Sequence, residues 1–252
     1  MSAPLMQASG LNLRFGRVAA LDDVAIDIHP GEVVAIVGES GSGKTTLLRV
    51  LSGLMRPDDG AVSYRGQDVL AMPEAARRRL MRTEWGFVHQ NPRDGLRLGV
   101  TAGGNIGERL MAVGARHYGN IRAEATEWLK RVEIDPARMD DIPGKFSGGM
   151  QQRLQIARVL VTKPRLVFMD EPTGGLDVSV QARLLDLIRA LVADLGLAVL
   201  IVTHDIAAAR LLAHRVLVMR QGQVVEEGLT DRVLDDPQHA YTQLLVSSVL
   251  AA

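Results

Sequence analysis

The chain has 252 residues, 47% of them hydrophobic and 23% charged, the composition of a folded globular domain with room for one large core or a core with an inserted lobe. Its 29 Lys and Arg balance 29 Asp and Glu; the basic excess of most nucleic-acid binders is missing, so nucleic acid is not expected as a partner. Cysteine is absent, which excludes disulfides, thiol nucleophiles and Cys-ligated clusters and fits a reducing compartment.

The first fifteen residues, MSAPLMQASGLNLRF, lack the basic start and apolar core of a signal peptide. No apolar run reaches the length of a bilayer crossing. A cytoplasmic location is therefore expected. The front of the chain is strand-rich and leads into EVVAIVG (32–38). GKTTLLRVLSGL (43–54) predicts a helix that opens on glycine. From about 90 to 160 strand-like runs are missing, and AEATEWLKRVEI (123–134) marks a mostly helical stretch. RLVFMD (165–170) and LAVLIVTH (197–204) are dense in apolar residues, like EVVAIVG. Such runs predict strands buried on both faces, in a sheet with helices on each side. Between them, SVQARLLDLIRALVADLG (179–196) has helical apolar spacing and stops at a glycine. HRVLVMRQGQVVEEG (214–228) predicts two strands around a Gly turn, and YTQLLVSSVL (241–250) a closing helix. The plan is one α/β domain: a core over roughly 1–89 and 161–228, a helical insertion over 90–160 and a helical tail over 229–252.

Four stretches carry chemistry. GESGSGKTT (38–46) fits G-x-x-x-x-G-K-[ST] through Gly38, Gly43, Lys44 and Thr45. Its glycines let successive backbone N–H groups of Glu39, Ser40, Gly41, Ser42 and the residues up to Thr46 curl around a phosphate. The helix that follows adds its positive end. Lys44 would reach the β- and γ-phosphates and the Thr45 hydroxyl a Mg²⁺ ion. RLVFMDEPTGGLD (165–177) brings Asp170 and Glu171 to the C-terminal end of a buried strand, the edge where open α/β sheets bind ligands. Asp170 suits a role at Mg²⁺. Strand alternation would point Glu171 elsewhere, as general base toward an attacking water. His204 closes the next buried strand; a lone His is commonly structural, but this edge favours contact with a γ-phosphate. Gln90, in FVHQNP, lies where the core passes into the insertion, in reach of Mg²⁺ or the attacking water; taken alone, a Gln there is more commonly a surface amide. Trp85 and Trp128 are expected in the core or in lobe packing, and RRRLMR (77–82) on a solvated helix face.

A second glycine pair lies in FSGGMQQR (146–153), again ahead of a helical run. The order P-loop, Gln, SGG, Asp–Glu, GLD, His resembles the ATP-binding subunits of the ABC ATPase superfamily, and the resemblance covers nearly the whole chain. It implies a P-loop NTPase fold with an N-terminal β-rich subdomain and an inserted helical subdomain, ATP and Mg²⁺ as ligands, and hydrolysis of ATP. It also implies head-to-tail pairing with a second copy or a related subunit. Ser147, Gly148 and Gly149 would then grip the ATP held by the partner, and Asp177 would lie at the dimer seam. Phe15 matches the aromatic residue that stacks on adenine; a core Phe near a strand end is the alternative. The signature departs from the commonest LSGGQ at Phe146 and Met150, which is expected to alter fine contacts without abolishing hydrolysis.

FSGGM, LDVSVQARLLDLI and DDPQHAYTQLL look like the peptide and nickel importer branch. RTEWGFVHQNPRDGLRLGVTAGGNIGERLMAVGARHYGNIR (82–122) and TDRVLDDPQHAYTQLLVSSVL (230–250) are more similar to the ATP-binding subunits of bacterial carbon–phosphorus lyase systems. That resemblance implies docking on a soluble lyase core in alkylphosphonate breakdown. A membrane permease is the partner under the importer alternative. His117 and Tyr118 fall in the docking stretch or in a plain surface loop.

Overall fold

The computed structural model describes residues 3–250. In chain order the elements are β1 (Met6–Phe15), β2 (Val18–Ile28), β3 (Val33–Val37), α1 (Lys44–Leu51), β4 (Asp59–Tyr64), β5 (Gln67–Asp68) and α2 (Glu74–Thr83). There follow β6 (Trp85–Val88), α3 (Pro92–Gly95), α4 (Ala102–Ala112), α5 (Tyr118–Arg131) and α6 (Gly148–Leu160). The chain closes with β7 (Leu166–Asp170), α7 (Val178–Leu195), β8 (Ala198–Val202), α8 (Ile206–Leu212), β9 (Arg215–Arg220), β10 (Gln223–Leu229), α9 (Thr230–Asp235) and α10 (Ala240–Leu250). They fall into two compact units, one running to Arg77 and resuming at Gly196, the other covering Arg78–Leu195.

In the first unit the strands run β10-β9-β3-β8. β3 (VVAIV) and β8 (AVLIV) are buried at every position, and their β-branched side chains suit a parallel strand covered on both faces. They pair in parallel from Val33↔Val199 to Ile36↔Val202, and β3 also pairs with β9 through Ala35↔Val216. Gln221 and Gly222, at φ 49° and 84°, turn β9 into antiparallel β10. Two positive φ values in a row fit the twist of a two-residue hairpin, and Gly takes the second without strain. A separate antiparallel sheet has the order β2-β1-β4-β5. Arg215, at the start of β9, is largely buried among Asp27 of β2, Glu32 and Glu227, at 3.3, 3.1 and 3.4 Å. Burial raises the Glu227 carboxyl above its usual range, with Arg215 pulling the other way.

The second unit has one parallel pair, β6 with β7, in register from Trp85↔Leu166 to Val88↔Met169. Trp85 is fully buried and meets Phe168 edge-on, with ring centroids 5.7 Å apart. Helices α3 to α7 make up the rest, and Trp128 of α5 is 1% exposed. Both tryptophans are therefore packing residues. No strand occurs between 90 and 160. α2, which carries the arginine run, buries none of its residues. Among the described residues no helix is long and apolar enough to cross a membrane.

Candidate functional site

In the first unit the loop between β3 and α1 is shaped by three glycines with positive φ: Gly38 at 148°, Gly41 at 83° and Gly43 at 106°. Two of them are also crowded by backbone. A Cβ on Gly38 would lie 2.2 Å from the Met219 carbonyl oxygen, and one on Gly43 would lie 2.3 Å from that of Ala20. Gly41 faces open space, so its glycine is required by conformation alone. α1 starts from Gly43 with no side-chain cap. Its first N–H groups and its positive end are thus arranged to receive an anion. Lys44 is 5% exposed; its Nζ donates to the carbonyls of Gly38 (2.8 Å) and Glu39 (2.7 Å). Thr45 and Thr46 follow on the first turn, half-buried. The curled loop, the uncapped helix and a lysine folded against them fit a polyphosphate.

Two more predicted residues belong to this unit. His204 is exposed just beyond β8, where Asp205 caps α8 by accepting from the N–H groups of Ala207 and Ala208. Phe15 ends β1 and is 54% exposed beside Val18, which rejects the core alternative and leaves an open aromatic face.

In the second unit β7 ends on Asp170, 7% exposed. Glu171 does not continue the strand. Its φ is +42°, so a left-handed kink aims its side chain, and the expectation from strand alternation is corrected. That kink brings Glu171 Oε2 within 3.2 Å of Gln90 Nε2, which donates to it. Gln90, Gly148, Gln152, Gly174 and Leu176 line one pocket of about 330 Å³. The second unit therefore gathers the Gln, the start of α6 and the loop after Asp170–Glu171 by itself. Asp177 is exposed at the start of α7. Asp170 and Gln90 of this unit, and Thr45 of the other, each carry an oxygen of the hard kind that Mg²⁺ prefers. Among the described residues no three or more His, Cys, Asp or Glu side chains gather as a metal cluster.

The second glycine pair is built differently. Ser147 is the N-cap of α6, and its Oγ accepts the N–H of Met150 at 3.3 Å. A Cβ on Gly149 would lie 2.7 Å from Val180 Cγ1 of α7, whereas one on Gly148 would make an ordinary 3.6 Å contact with Leu176. The two unusual residues of the signature share one partner. The Arg138 guanidinium lies 4.5 Å over the buried Phe146 ring and donates to Met150 Sδ at 3.5 Å.

Sequence patterns did not reveal the residues that hold these loops. Gln155, fully buried on α6, accepts the His89 N–H (2.8 Å) and donates to the His89 carbonyl (3.1 Å) and to Gln152 (3.1 Å). It grips the peptide directly before Gln90. Arg158, one turn on, donates to the Gly95 carbonyl at 2.6 Å. One helix thus carries the signature serine at its start and the supports of the Gln90 loop along its length. Gln181 of α7 likewise donates to the carbonyls of Thr173 and Leu176. The backbone groups that Gln155 and Arg158 hold lie 63 to 66 residues away and leave no local signal.

Comparison with known proteins accords with this geometry. The family described as ABC transporter matches residues 21–174. The phosphonates utilization ATP-binding protein PhnK of Escherichia coli (strain K12) is 67% identical over 250 residues, covering 99% of each chain. A peptide import ATP-binding protein of Brucella ovis is 39% identical over 266 residues, covering 98% of this chain and 78% of its own. A dimeric post-hydrolysis structure of the ATP-binding cassette MJ0796, bound to ADP and Pi, superposes with a TM-score of 0.81 at 31% identity, covering 89% of this chain and 98% of that one. The chain belongs to the ABC transporter family, as one of its ATP-hydrolysing, ATP-binding cassettes.

Proposed function

We propose that this ATPase serves a carbon–phosphorus lyase complex in alkylphosphonate breakdown, closing as a pair of cassettes on a cytoplasmic core complex. The observation that carries this reading is the 67% identity, end to end, to a protein named for phosphonates utilization, against 39% to one named for peptide import. The helical stretch over 90–160 then passes cassette motion to the lyase core, with the rest of the chain acting as ATPase core and tail.

In this reading the residues divide the work of binding and hydrolysis. Lys44 and the N–H groups from Glu39 to Thr46 bind the phosphates. Thr45, Asp170 and Gln90 would hold Mg²⁺, which when bound neutralises charge on the transferring phosphoryl group. Glu171 orients the attacking water and takes its proton at the carboxylate; Gln90, bonded to that carboxylate at 3.2 Å, fixes its direction. His204 contacts the γ-phosphate and Phe15 stacks on adenine. Ser147, Gly148 and Gly149 act on the nucleotide held by the partner cassette, with Asp177 at the seam.

Glu171→Gln keeps the shape and removes the base. Hydrolysis is expected to fall by about 10²- to 10⁴-fold, with an ATP-bound dimer accumulating. Hydrolysis at the wild-type rate would remove Glu171 from this role. A pull-down with the same variant and ATP tests the partner. Soluble lyase subunits are expected; recovery of a membrane permease without them would establish the importer reading instead.

A further inference from the structure

The C-terminal helix reaches the phosphate loop. Tyr241, in the first turn of α10, is 4% exposed, and its hydroxyl oxygen accepts the backbone N–H of Glu39 at 3.0 Å. The carbonyl of the same residue accepts from Lys44 Nζ at 2.7 Å. Glu39 is therefore held from both sides, by the tail through its N–H and by the phosphate-binding lysine through its C=O. Replacing its side chain would leave both bonds, because both use the backbone.

The tyrosine is itself fixed in three ways. The Arg220 guanidinium lies 5.0 Å over its ring. Arg220 follows Met219, whose carbonyl is the group that forbids a side chain on Gly38. The Tyr241 N–H donates to His239 Nδ1 at 3.1 Å. Finally, Glu226 of β10 accepts the N–H groups of Gln238 and His239 at 2.8 and 3.0 Å, which pins the entry to α10. Burial works to raise the Glu226 carboxyl, but the nearby Thr242 side chain and the N–H groups of Gln238 and His239 outweigh it and hold the group below its usual range. The charged form thus contributes to this anchor.

We propose that Tyr241 is a positioning residue of the nucleotide site: from the tail it sets the conformation of the Gly38–Glu39 segment and so the resting place of Lys44. It does not touch the substrate. The effect would appear in nucleotide binding, since the loop must hold its shape before any chemistry occurs. This inference concerns ATP alone and stands apart from the phosphonate reading.

The test is Tyr241→Phe in the full chain, which removes one oxygen and keeps the ring beneath Arg220. A single neutral hydrogen bond of this kind should raise the KM for Mg·ATP and the Kd for a fluorescent ATP analogue about three- to tenfold, with kcat within about twofold. Hydrogen exchange at the Glu39 amide should accelerate, and the melting temperature of the nucleotide-free protein should stay near wild type. Leu244→Ala, at a 64% exposed position on the same helix, should move none of these. Unchanged KM and Kd in Tyr241→Phe would overturn the proposal. So would a fall in kcat together with the melting temperature at constant KM, which would make Tyr241 a packing residue only.

Discussion

The molecule has two glycine-rich helix starts, and they solve opposite problems. At the start of α1, glycine is required by the backbone: Gly38 and Gly43 combine positive φ with carbonyl oxygens closer than 2.5 Å to any Cβ. At the start of α6, Gly148 and Gly149 are helical; only Gly149 is crowded, and by a side chain, not by backbone. The first helix leaves its leading N–H groups without a side-chain cap. The second caps itself through Ser147. One start leaves its leading N–H groups open to an anion within its own unit; the other spends a serine side chain on capping itself.

Substitutions should separate the two. Gly38→Ala has the largest expected effect. The φ of 148° alone costs an L-residue about 1–3 kcal/mol, and the 2.2 Å clash with Met219 adds to it. Melting temperature and ATP binding should both collapse, and a variant that binds ATP normally would show that the loop tolerates rearrangement. Gly149→Ala comes next. Val180 is β-branched and stiff, so the added methyl should cost about 1–3 kcal/mol by overpacking. Val180→Ala in the same chain should recover most of that stability. Failure of the rescue would mean that the glycine answers to something other than α7. Ser147→Ala should be mildest in stability, about 1 kcal/mol for a lost N-cap, with ATP binding retained and hydrolysis reduced.

The parts of the fold legible in the sequence are those where burial is uniform. β3, β7 and β8 stand out as unbroken apolar runs because both faces are covered, and the β9–β10 hairpin is marked by its Gly turn. β4 and β6 were not visible: DGAVSY mixes small and polar residues, and WGFV is too short for any period. The glycine loop of Gly38 to Lys44 was legible because a phosphate cradle demands fixed spacing. The direction of Glu171 was not, since strand alternation fails at a left-handed residue. Nor were Gln155, Arg158, Gln181 and Tyr241, which act on backbone groups. A backbone N–H or C=O places no demand on the identity of its own residue, so neither end of such a contact leaves a motif.

The claim that the second glycine start serves another cassette's nucleotide has a direct measurement. Gly148→Asp places a charge at a position with room for a Cβ, and an acid in the first turn of a helix favours its fold. Its Kd for a fluorescent ATP analogue, measured on the monomer, should match wild type within about twofold, while steady-state hydrolysis is lost. A monomer whose nucleotide affinity falls tenfold or more would place Gly148 in its own chain's binding site and contradict the account.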